Sequence, residues 1–128
     1  MKALLDTSFL LFCAEKGRDY LQIIEQKLRE PLEPVVLQNV VDELKMLASR
    51  KGRRAMFARA ALQQLSKFNV VSTQRSDRVD DMLLKYAAEH RIPVLTVDAK
   101  LSKRLAASGV GCISVSRSGK PIVRLILR

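Results

Sequence analysis

Ile92-Pro93-Val94-Leu95-Thr96-Val97 is a short apolar run, β-branched in part, that stops at Asp98. With its proline near the start, it reads as a strand covered on both faces, as in a parallel sheet. A helix pattern precedes it: Val79, Met82, Leu83, Tyr86 and Ala87 recur at the spacing of one apolar helix face. A second helix follows at once through Leu101 and Leu105, and Gly109 ends it. Residues 76–105 therefore read as helix, buried strand, carboxylate, helix, which constrains the chain to an α/β sheet. Asp98 falls where a buried strand emerges, and Asp80 and Asp81 near the start of the preceding helix. In open α/β sheets, ligands bind outside the carboxyl ends of the strands.

The same grammar opens the chain. Lys2-Ala3-Leu4-Leu5 is a short apolar strand that runs into Asp6, with Thr7 and Ser8 as helix-starting residues and an apolar run from Phe9 to Ala14 behind them. An acid at that place also complements a helix macrodipole, so the residues alone leave both roles open for Asp6. Residues 19–30 form an amphipathic helix through Leu21, Ile24 and Leu28, ended by Pro31 and Pro34. Pro34-Val35-Val36-Leu37 is a second strand, and the helix after it carries Val40, Val41, Leu44, Leu47 and Ala48 as its apolar side. Glu43 lies on or beside that stripe, where an unpaired charge is costly, while Asp42 reads as solvent-facing. A further helix leads into Val70-Val71. Cys112-Ile113-Ser114-Val115 and the run from Ile122 to Leu127 are one or two closing strands, with a turn at Gly119-Lys120-Pro121. The expectation is a single α/β domain over residues 1–128: three layers, α/β/α, around a mostly parallel sheet of four or five strands.

Charge narrows the partners. Twenty-three Lys and Arg against thirteen Asp and Glu give +10 over 128 residues, which favours nucleic acid through counterion release from phosphates. Arg50, Lys51, Arg53 and Arg54 surround one glycine between two helices, and that basic turn is the candidate RNA-contacting patch. Hydrophobic residues make up 48% and are spread throughout, so the chain should bury a real core. No apolar run is long enough to span a membrane, and no leader pattern precedes the first strand. Cys13 and Cys112 match no metal spacing and read as buried thiols of a cytoplasmic protein. His90 is the only histidine, which excludes a two-histidine acid–base pair, and there is no glycine-rich phosphate loop.

LLDTSFLL near the start, VDELKML in the middle and VDDMLLKYAAEHRIPVLTVDAKLSKRL near the end resemble the PIN domain, and the match covers essentially the whole chain. The resemblance implies that Asp6, Glu43, Asp80 and Asp98 are the acidic quartet that holds Mg²⁺ or Mn²⁺, with Ser8 and Thr96 as polar supports. It leaves the role of Asp81 open and implies that Asp6 and Asp98 lie at adjacent strand ends. It implies a metal-dependent endoribonuclease acting on RNA. The Asp80-Asp81 doublet, the basic charge and the basic L-x-x-R-L run after Asp98 are closer to PIN proteins of ribosomal RNA processing than to a toxin-type ribonuclease. A homodimer, and an antitoxin or ribosomal-precursor partner, stay open.

The chemistry suits the pattern. Hard divalent cations want oxygen ligands, and Mg²⁺ takes one or two carboxylates plus substrate phosphate while keeping several waters. Four carboxylates converging at strand ends would repel one another, and a cation turns that repulsion into affinity. Two other readings compete. One is a catalytically silent PIN protein that grips RNA or a ribosome precursor. The other is a receiver domain, which would want an acidic pair after the first strand and an aspartate after the third; the chain has a single Asp6 and none directly after Val71.

Overall fold

Short apolar runs separated by amphipathic helices give a parallel sheet only if each crossover returns the chain to the same edge direction. The computed structural model, which describes residues 1–73, 78–116 and 118–124, shows how this chain does so. In order it forms β1 (Lys2–Leu5), α1 (Thr7–Lys16), α2 (Tyr20–Leu28), β2 (Glu33–Leu37), α3 (Gln38–Ala48), α4 (Arg53–Gln64), a 3-10 turn (Leu65–Lys67) and β3 (Asn69–Val71). Then come α5 (Val79–His90), β4 (Val94–Thr96), α6 (Ala99–Ala107), β5 (Cys112–Val115) and β6 (Pro121–Arg124).

The sheet order is β3-β2-β1-β4-β5-β6. All neighbours pair in parallel except β6, which runs antiparallel to β5. The sheet thus has six strands rather than four or five, because the tail contributes an antiparallel hairpin partner. That strand ends the described chain at Arg124; the part of the expected run at Leu125–Leu127 lies outside the described residues.

From β1 the chain winds outward to β2 and β3, then jumps back across β1 to β4 and continues the other way. With right-handed crossovers, this reversal puts α1 to α4 on one face and α5 and α6 on the other, giving three layers. It also creates a topological switch point between β1 and β4. Leu4 and Leu5 pair with Val94 and Leu95, so the two strands end almost level.

The central strands are sealed. Ala3, Leu4, Leu5, Val94, Leu95 and Thr96 have no exposed surface, and Phe9, Leu44, Leu83, Leu101 and Leu105 close over them from the helices. Such burial is what the unbroken apolar runs called for. Gly17 ends α1 in the left-handed region at φ 61°, as a C-terminal glycine does. Cys112 is buried, but Cys13 is only half-buried, since it faces the shallow gap between α1 and α4 rather than the sheet. Among the described residues, no helix is long and apolar enough to cross a membrane.

Candidate functional site

The switch point between β1 and β4 is where this topology leaves a crevice. Asp6 follows β1 directly and Asp98 follows β4 by two residues, so the two flank that crevice. Asp6 stands at the N-cap of α1 but its side chain makes no capping bond. Its Oδ2 instead accepts from both Ser8 Oγ and Thr96 Oγ1, the latter at 2.8 Å. Each hydroxyl has one proton, and each uses its lone pairs to receive a backbone amide of the β4 exit. Val97 N–H donates to Ser8 Oγ at 3.2 Å and Asp98 N–H donates to Thr96 Oγ1 at 3.0 Å. Asp6 N–H adds a bond to Leu95 O at 3.0 Å. Two hydroxyls from distant segments thereby lock the ends of β1 and β4 together and hold the carboxylate at the crevice.

Asp6 is 4% exposed, and this burial pushes its carboxyl above the usual carboxylate range. The bonds from Ser8, Thr96 and the Thr7 amide pull the other way, while the charge of Asp98 adds to the rise. Asp98 is itself the N-cap of α6: its Oδ1 accepts from Lys100 N–H at 2.8 Å and Leu101 N–H at 3.3 Å. One of its oxygens is therefore committed to the helix and the other is left for a ligand.

Asp80 lies in the first turn of α5 and is half-buried. Burial is the first cause that raises its pKa, and the charges of Asp6, Asp98 and Glu43 raise it further, while Arg104 opposes them. The expected quartet thus shares one electrostatic neighbourhood with Asp80 in its midst. Glu43 is half-buried in the middle of α3. Asp42 is not simply solvent-facing: it is half-buried and accepts from Gln38 Nε2 at 3.0 Å. Asp81 turns to α6, where Arg104 Nη2 donates to its Oδ1 at 2.6 Å.

Among the described residues, no three acids, histidines or cysteines are gathered closely enough to form a ready-made metal cluster. An all-oxygen donor set is what a hard cation that keeps most of its waters requires. Thr7 Oγ1 is the one side-chain polar atom among the described residues that is buried without a hydrogen-bond partner. By donor chemistry, the residues fit a hard divalent ion.

Two features escaped the sequence reading. Asn39 is buried one helical turn before Glu43, and Thr73 Oγ1 donates to its Oδ1 at 3.0 Å. The only signal was a polar residue four before Glu43 on an apolar face; its partner comes from the segment after β3. The other is the orphan Thr7, which the sequence marks only as a helix starter. Arg50, Lys51, Arg53 and Arg54 are all exposed around the α3–α4 turn, beyond the C-terminal end of α3. His90 is exposed at the end of α5 and stacks on Tyr86 with ring centroids 3.9 Å apart. Burial pushes the Cys13 thiol up to about 11, so it offers no thiolate.

A family model described as a PIN like domain matches residues 3–118. The chain belongs to the PIN-like domain family. Ribonuclease VapC4 of Methanocaldococcus jannaschii is 28% identical over 109 residues, which are 82% of each chain. The structure of the PIN domain endonuclease Utp24 superposes with a TM-score of 0.77 at 23% identity, covering 98% of this chain and 96% of that one. VapBC2 from Rickettsia felis, solved bound to a DNA fragment from its promoter, gives 0.60 at 16% identity over 81% of this chain and 92% of its own. These likenesses show the PIN fold, with its mostly parallel sheet between helical layers.

Proposed function

We propose that this PIN-like chain is a metal-dependent endoribonuclease that hydrolyses RNA phosphodiester bonds, with Asp6, Glu43, Asp80 and Asp98 as the ligands of Mg²⁺ or Mn²⁺. The observation that carries this reading is the level pairing of β1 with β4, which sets Asp6 and Asp98 on either side of the switch point of the sheet. Two carboxylates facing one crevice gain from a cation between them. The ribonuclease name of its VapC4 relative supports RNA as the substrate.

Bound there, a divalent ion supplies Lewis-acid polarisation of a phosphoryl oxygen and a water that is nucleophilic at neutral pH. The chain's own groups do the rest. Ser8 and Thr96 keep Asp6 in one orientation, so it need not reorganise when substrate arrives. The α6 amides fix Asp98 in the same way. Arg50, Lys51, Arg53 and Arg54 grip the RNA backbone further along, which positions the strand without reading bases.

Cleavage of a labelled RNA in Mg²⁺ or Mn²⁺ against excess chelator tests the reading, with Asp6→Asn as control. Divalent-dependent cutting that is lost in the variant is expected. An intact RNA bound by wild-type protein in both metals would leave a binding protein instead of an enzyme. Neutralising Arg50, Lys51, Arg53 and Arg54 together should weaken RNA binding and flatten its salt dependence. An unchanged salt slope would reduce that turn to a solvated surface.

A further inference from the structure

On the substrate side of the proposed chemistry, a polyanion must approach four carboxylates. Arg104 projects from α6, the helix that Asp98 caps, and is bonded to Asp81, the residue that follows Asp80 at the start of α5. Its Nη2 donates to Asp81 Oδ1 at 2.6 Å, and the two side chains are 50% and 41% exposed. An exposed ion pair of this kind adds little to stability. Its consequence is positional. It keeps Asp81 turned towards α6, and it keeps a guanidinium beside the residue that follows Asp80. That guanidinium has five N–H donors in a rigid fork, of which the Asp81 bond uses one.

We propose that Arg104 is the residue that receives an RNA phosphate at the rim of the site, and that Asp81 is its positioning residue rather than a metal ligand. This rests on the nuclease reading for its substrate. The fork meets two oxygens of a phosphate flanking the scissile bond, while Asp81 holds the guanidinium from behind. Asp81 is then directed to α6 by its bond to Arg104, while Asp80 is left for the ion.

The test uses the whole chain and a fluorescent single-stranded oligoribonucleotide, with binding measured in chelator across a salt series and cleavage measured in Mn²⁺. Arg104→Ala should weaken binding roughly tenfold and flatten the salt slope by about one, as for a single phosphate contact. In cleavage it should raise KM more than it lowers kcat. Arg104→Lys should recover part of the affinity, since it restores the charge without the fork. Asp81→Asn should keep the melting-temperature gain from Mn²⁺, because it removes no ligand. The proposal is overturned if Arg104→Ala binds RNA like wild type, whether or not it melts lower, or if Asp81→Asn loses the Mn²⁺ gain that wild type shows. A wild-type protein that never cleaves, yet loses affinity on Arg104→Ala, would remove the nuclease reading and leave the phosphate contact standing. Normal cleavage with an indifferent Arg104→Ala would do the reverse.

Discussion

Asp6 and Asp98 are both aspartates at helix N-caps, and their surroundings separate them. Asp98 spends one oxygen on the α6 amides, whereas Asp6 ignores its helix and takes two hydroxyl protons. Asn caps a helix as well as Asp does, so Asp98→Asn should fold normally and be at least as stable as wild type in chelator. Its RNA cleavage should fall on the order of 100-fold or more, the scale of losing one preorganised electrostatic group. Normal cleavage by that variant would remove Asp98 from the site. Thr96 has no exposed surface and serves Asp6 and the Asp98 amide at once. Thr96→Val should cost about 1–3 kcal/mol in thermal unfolding, because the amide is left without its acceptor. Asp6 and Asp80 both have folded pKa values above the ordinary 3.8. The folded state therefore holds more protons than the unfolded one in that window, so these groups lower stability as pH rises from about 3.8 through their folded values. In chelator, Asp80→Asn should flatten this fall; a melting curve series against pH that matches wild type would contradict it.

At the scale of elements, Gly52 shows what a turn can demand. It precedes α4 at φ 104° and ψ −178°, a region essentially reserved for glycine, with open space around its α-carbon. Gly52→Ala should therefore cost about 1–3 kcal/mol through backbone strain alone, without loss of any packing. Chemical denaturation reads this directly, and an unchanged midpoint would mean the turn relaxes. The helices and buried strands were legible because period and burial agree: Leu4, Leu5, Val94 and Leu95 are apolar on both faces and are sealed on both. β6 was harder, since an antiparallel edge strand is covered on one side only; Ile122 stays 57% exposed. Asn39 and Thr73 were not legible, because their contact joins α3 to the segment after β3 and neither partner signals the other along the chain.

For the whole molecule, the reversal of strand order between β1 and β4 sets Asp6 and Asp98 on either side of one crevice. Local periodicity carries each strand but not which strands become neighbours, so their adjacency followed from the family resemblance rather than from pattern. Asp6 and Asp98 were legible as strand-end positions, and Asp80 as a residue near a helix start. Their arrangement around Asp80, and the diversion of Asp81 to Arg104, depend on how α5 and α6 pack against the sheet. A molecule of charge +10 has a surface that attracts phosphate, against which Asp6 and Asp98 stand out as carboxylates at the ends of β1 and β4. The central claim is that these four carboxylates act as one site for a hard divalent ion. Calorimetric titration of Mn²⁺ into metal-free protein tests it most directly. Saturable binding by wild type that is lost in Asp80→Asn, with the variant still folded, is the predicted result; equal binding by both proteins, or none by wild type, would contradict it.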